Sequence, residues 1–206
     1  DNDGKFLHFD CFPAKDTNAL SVSIRLALID FRNKNPEAKR LIIHFYKLMS
    51  KKELKPILDM LYSLNVDIPV IILTINKTVT KNVLAFDVAA PKTLMPLTGT
   101  YVQIAERQYL LYNNIRYNET SFVKQSKYQF PVKIKMTSTQ LSLLEDPALI
   151  DLLIDQVYQF SRMYWKSVAQ QNMPVTILYP QMVAEIFPYF KTPVLSEFGK
   201  ETLWFL

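Results

Sequence analysis

Basic and hydroxyl-bearing side chains gather late in the chain in a pattern suited to phosphate. In the run Gln159-Phe160-Ser161-Arg162-Met163-Tyr164-Trp165-Lys166-Ser167, Arg162 and Lys166 stand four apart. On a helix that spacing puts both cations on one face, with Ser161 and Tyr164 able to donate to phosphate oxygens. A plain amphipathic helix with solvated basic residues produces the same run, and Trp165 reads as core. Lys124, Lys127, Lys133 and Lys135 form a lysine-rich middle section. Lys133 and Lys135 alternate in Phe130–Met136, so a strand there shows both on one face, toward a nucleic-acid backbone or toward solvent. Arg116, after Leu110-Leu111-Tyr112-Asn113-Asn114, is a similar case. Lys51, Lys52 and Lys55 read as a solvated helix face. Two histidines and one cysteine cannot build a zinc site of the His/Cys kind.

Elements must position these groups. Asp1-Asn2-Asp3-Gly4 is turn chemistry, because these residues tolerate the positive φ of a tight hairpin. Lys5 to Phe12 follows as an expected strand with Asp10 on it. A hairpin at the first residues calls for a partner strand before Asp1, so the chain is expected to be the C-terminal fragment of a larger one. Leu20 to Asn33 has helical periodicity through Leu20, Ile24, Ala27, Leu28 and Phe31. Arg40 to Phe45 is a short apolar run for a buried strand. Ser50 before Lys51-Lys52-Glu53 is a capping box, opening a helix to about Leu64. Val70 to Thr74 is another buried strand. Strand, helix, strand, helix, strand in succession predicts an α/β sheet with parallel members.

The middle of the chain changes character. Val83–Phe86, Gly99–Ile104, Arg107–Tyr112 and Phe130–Met136 read as short strands, with a hairpin turning at Glu106-Arg107. Asp146 to Lys166 is a long helix with Asp146 as its cap and Pro147 in its first turn. Val175 to Leu178 is a strand or extended segment, and Pro180 and Gln181 open a further helix to Phe187. Thr202-Leu203-Trp204-Phe205-Leu206 is apolar enough to be expected in the core rather than in solvent.

Composition sets the outer bounds. The 206 residues are 49% hydrophobic and 21% charged, a globular balance with room for a sizeable core. Net charge is +5, from 24 basic and 19 acidic residues, too mild to identify a partner. The lone Cys11 excludes an internal disulfide and favours a reducing, cytoplasmic setting. No apolar run reaches the ~20 residues of a membrane helix, and no membrane partner is expected.

Two stretches resemble the PIWI domain of prokaryotic Argonaute proteins. The first is LIIHFYKLMSKKELKPILDMLYSLNVDIPVIILTINKT, Leu41 to Thr78. The second is LIDQVYQFSRMYWKSVAQQNMPVTILYPQMVAEIF, Leu153 to Phe187. MPLTGTYVQIAERQYLLYNN between them resembles the family's middle strands, and the run to LWFL its C-terminus. The resemblance covers nearly the whole chain and implies one PIWI domain over residues 1–206. Its fold would be α/β and ribonuclease H-like, a mixed sheet flanked by helices with the N-terminal strand missing.

The resemblance also says where cleavage chemistry would sit. Active members cut a target strand with divalent metals on acidic ligands, because hard cations need oxygen donors on both sides of the phosphate. The family's Asp after the LIIHF strand falls here on Lys47, and its last ligand falls on Gln181. An ammonium at the first position repels a metal, and an amide at the second is a poor ligand. Asp16 matches another carboxylate only weakly, and Asp10 is the rescue candidate if the ligand positions are shifted.

Matched to the family, Tyr164, Lys166 and Asn172 fall where side chains grip the guide backbone near its 5′ end. The terminal carboxylate of Leu206 falls where some members hold a metal ion, such as Mg²⁺, beside the guide's 5′ phosphate. A tail that only packs is the other reading. The implied function is guide-dependent nucleic-acid binding without cleavage, with a guide RNA or DNA paired to a target DNA, in prokaryotic defence. The associated effector of such short forms would be a TIR or sirtuin-like protein. Two alternatives stay open: an active guide-directed endonuclease, and a protein–protein module on the same scaffold.

Overall fold

The computed structural model describes residues 5–11, 17–34, 38–77, 83–91, 94–114, 116, 129–164, 172–190 and 195–206. The hairpin residues 1–4, Asp16, Lys124, Lys127, Trp165 and Lys166 lie outside them. The chain divides into two compact units. One comprises residues 1–41, 48–70 and 179–206, the other residues 42–47 and 71–178.

The second unit is built on a mixed five-stranded sheet. Its strands are β1 (Leu41–Phe45), β2 (Val70–Asn76), β3 (Tyr101–Ala105), β4 (Gln108–Leu111) and β5 (Val132–Ser138). Their order is β1-β2-β5-β4-β3. β5 runs antiparallel to both neighbours, pairing Lys133 with Asn76 and Leu110, and Lys135 with Thr74 and Gln108. Arg107, at φ 55°, turns the β3–β4 hairpin where the sequence puts it.

Alternation sorts the two faces of this sheet. Ile71, Leu73, Ile75, Tyr109, Leu111, Val132, Ile134 and Met136 point one way and are buried. Helix α3 (Pro147–Arg162) lays Leu149, Leu153, Ile154 and Val157 on them, at the three- and four-residue spacing of a single helical stripe. Its start follows the sequence: the Asp146 carboxylate accepts from the Ala148 amide at 3.0 Å, and Pro147 occupies the first turn, where no donor is needed. Ile42 also packs on this core, so β1 joins the same layer. The opposite face carries buried Ile72 and Leu110 beside Thr74, Asn76, Lys133, Lys135 and Gln108.

In the first unit, α1 (Thr17–Lys34) packs against α2 (Lys51–Ser63). The capping box of α2 is complete: Ser50 Oγ accepts from the Glu53 amide at 3.3 Å, and a Glu53 oxygen accepts from the Ser50 amide at 2.8 Å. Ile57, Met60 and Leu61 are its buried stripe. The C-terminal segment holds a short α5 (Glu197–Glu201), after which Phe205 is buried against Phe9 and Tyr179, each with ring centroids 5.5 Å away. The apolar tail packs inward, as its composition requires.

Three expected elements differ. Residues 5–11 form no strand; the Phe9 amide donates to the Lys200 carbonyl at 2.8 Å, outside any ladder. Residues 83–86 are irregular and are held by Tyr112, whose hydroxyl accepts from the Ala85 amide. Val175–Leu178, expected to be extended, is instead the first turn of α4 (Val175–Ile186), which continues through Pro180. Pro174, just before it, accepts from the amides of Ile177 and Leu178 and starts the helix early.

Candidate nucleic-acid interface

The sheet face that bears Lys133 and Lys135 is the first candidate surface. Lys133 and Lys135 are the only formally charged side chains in the five strands, and no strand carries a carboxylate. Both lysines are half-buried, beside Asn76 and Thr74 of β2 and Gln108 of β4. Among the described residues neither lysine has an ion-pair partner.

Lys47 belongs to the same unit. β1 ends at Phe45, and the carbonyl of exposed Tyr46 accepts from Asn76 Nδ2 at 3.5 Å. The Lys47 ammonium lies 5.9 Å from the Phe45 ring centre and 5.8 Å from that of Tyr46. His44 points the other way: its Nδ1 is 2.7 Å from Thr176 Oγ1 and its ring meets Phe160 edge-on. Alternation along β1 therefore puts Phe45, and the ammonium beside it, on the face that bears Lys133. Burial pushes the His44 imidazole down to about 4, so it is neutral at ordinary pH.

The helical run of basic and hydroxyl groups is arranged differently from the sequence expectation. Arg162 does not stand out in solvent. Its guanidinium stacks 4.7 Å from the Tyr158 ring centre. Its Nη2 faces the Tyr158 hydroxyl at 3.1 Å, the Asn114 carbonyl at 3.2 Å, and Thr98 Oγ1. Ser161 is buried; its hydroxyl donates to the Tyr158 carbonyl and accepts from Asn113 Nδ2. Arg116 is also buried rather than on a backbone-facing surface. It pairs with Asp87 and donates to the Met95 carbonyl at 2.6 Å. The hydrogen bond that Arg116 donates to Asp87 holds that carboxyl below its usual range. The reason is common to all three: a buried cation or hydroxyl needs partners, and Asp87, the segment Met95–Thr98 and Asn113–Asn114 supply them.

Asn113 and Asn114, which sequence reasoning passed over, organise this cluster. Asn114 donates to the Pro96 carbonyl at 2.7 Å and accepts from the Arg116 amide at 2.7 Å. Asn113 reaches Ser161 and, at 3.4 Å, the carbonyl of Asn172. Asn172 itself donates to the Phe130 carbonyl at 3.2 Å. Paired amides at the end of an apolar strand are the signal that could have marked them. Tyr164 is half-buried just past the end of α3.

In the first unit, Gln181 lies exposed on α4 and donates to Glu185 at 3.2 Å. Asp10 is folded back on its own chain, accepting from the Cys11 amide at 2.9 Å. The Leu206 amide donates to the Leu203 carbonyl at 3.1 Å, closing a turn. Lys51, Lys52 and Lys55 are exposed on α2. Among the described residues no three His, Cys, Asp or Glu side chains gather as a metal site, and no helix is long and apolar enough to cross a membrane.

A five-stranded mixed sheet with a helix packed along one face makes this an α/β domain. Comparison with known proteins narrows that class. No family model matches the chain. The chain is 28% identical over 119 residues to a Piwi protein of Archaeoglobus fulgidus, covering 54% of this chain and 28% of that relative. Its fold matches the A. aeolicus Argonaute with a TM-score of 0.59 at 16% identity, over 96% of this chain and 26% of that one. It matches Clostridium butyricum Argonaute, solved with a guide DNA and a 19-mer target DNA, with a TM-score of 0.55 at 16% identity, over 85% and 21%. In fold, the chain is similar to the ribonuclease H-like PIWI part of these Argonautes. It spans about a quarter of the length of these relatives.

Proposed function

We propose that this domain binds a guide strand paired to a target nucleic acid and does not cut it. The observation that carries the reading is the side chain following β1 in a PIWI-like fold. There the chain presents the ammonium of Lys47 beside two aromatic rings, where the family resemblance expects a metal-binding carboxylate. A cation attracts phosphate and repels Mg²⁺, so the position favours holding a strand over activating water on it. Gln181, an exposed amide at the other matched ligand position, supports the same reading.

Phosphate contacts of this kind supply affinity without sequence choice, and sequence is then read by base pairing with the guide. A guide of RNA or DNA, a DNA target, a role in prokaryotic defence and a TIR or sirtuin-like effector belong to this reading through the family resemblance.

Filter binding of a matched guide–target duplex over a salt series tests it. Binding should weaken steeply with salt, as displacement of counterions from phosphates requires. Absence of binding, or binding indifferent to salt, would leave the protein–protein module as the better account.

A further inference from the structure

We propose that Lys47, Lys133 and Lys135, with Asn76 between them, form a rail that holds consecutive phosphates of one nucleic-acid strand without a divalent metal. This deepens the reading above and rests on it. The residues come from three adjacent strands of one unit. Lys133 and Lys135 are two apart on β5, so their Cβ atoms are about 7 Å apart on one face. That matches the spacing of neighbouring phosphates along a strand. Asn76 pairs in register with Lys133 and points its amide at the Tyr46 carbonyl. Lys47, the next residue, thus lies about two strand spacings, roughly 10 Å, from Lys133.

Three features favour an anion here. The strands bring no Asp or Glu to this face. Among the described residues Lys133 and Lys135 lack an ion-pair partner, and a half-buried cation without one is costly to keep. The Lys47 ammonium is also positioned, beside Phe45 and Tyr46, rather than left on a free tether. Point-charge ammoniums and an amide recognise phosphate but not base edges, so the rail is indifferent to sequence. An acidic protein surface is the competing ligand, but the step of about 7 Å between the two β5 lysines suits a polymer of evenly spaced charges better.

The test measures binding of a labelled guide–target duplex to the chain by anisotropy over a KCl series. Wild type is compared with Lys47→Gln, Lys133→Gln and Lys135→Gln, with Lys133→Arg and Lys135→Arg as charge-keeping controls, and with Lys55→Gln on the exposed face of α2. Each rail substitution to Gln should lower the log–log salt slope by about 0.7–0.9 and weaken binding several-fold, because one phosphate contact is lost. The Arg variants and Lys55→Gln should keep the wild-type slope, and EDTA should leave wild-type affinity unchanged. If wild type binds steeply but the Gln variants keep its slope, the rail is wrong while the proposed function stands. If EDTA abolishes binding, or polyglutamate competes as well as unlabelled duplex, the rail is likewise overturned. If wild type binds no duplex at any salt, the proposed function fails and the rail with it.

Discussion

His44 illustrates what burial does to a single residue. Its imidazole, held against Thr176 and Phe160, ionises only near pH 4, because burial removes the water that would stabilise the cation. The unfolded chain takes up that proton near the ordinary value of 6.5. Between those values the unfolded state binds more protons, so stability is full above pH 6.5 and falls as pH is lowered toward 4. The difference amounts to about 3 kcal/mol. Urea unfolding at pH 7 and pH 4 should show this loss in the wild type and not in His44→Gln, beyond any slope the two share. Parallel pH profiles would contradict it.

Residue roles were unevenly legible in the sequence. Lys47 could be placed because β1 and its turn are short and local. Lys133 and Lys135 share a face because a strand alternates. The inward turn of Arg162 and Arg116 could not be read, since their acceptors, Thr98, Asn114, Asp87 and Met95, come from loops far along the chain.

At the scale of elements, local signals succeeded where they were self-contained. The Ser50–Glu53 box and the Asp146-Pro147 start each fix a helix end through groups within three residues of one another. They failed where tertiary partners decide. Residues 5–11 have strand alternation but meet the Lys200 carbonyl instead of a ladder. Val175–Leu178 is β-rich in composition, yet a start at Pro174 draws it into α4.

The loop before β3 carries a prediction of its own. Gly99 sits at φ +83°, donates to the Tyr112 carbonyl at 2.8 Å and packs under the Tyr158 ring, 3.7 Å from where a Cβ would stand. Space is adequate there, but the backbone region disfavours an L side chain by about 1–2 kcal/mol. Gly99→Ala should lower stability by that amount in urea unfolding. A neutral or stabilising result would show that the turn relaxes to negative φ.

The whole molecule has a fold similar to that of Argonaute structures and spans about a quarter of the length of the proteins it matches. The α/β class and the ribonuclease H-like arrangement followed from the succession of elements and the resemblance together. The division into two compact units did not, because it depends on long-range packing that spacing does not encode. On the proposed reading, function turns on the sign of the charge offered to a nucleic-acid backbone. Metal-assisted cleavage needs clustered oxygen anions, whereas strand retention needs cations spaced along a groove.

The most direct measurement is the length of the target strand recovered from the protein-bound complex, run on a denaturing gel after incubation with a matched guide and Mn²⁺ or Mg²⁺. The account predicts that the target is retained by the protein and remains full length. A discrete product cut at one position opposite the guide, made at a rate that depends on the metal, would contradict it.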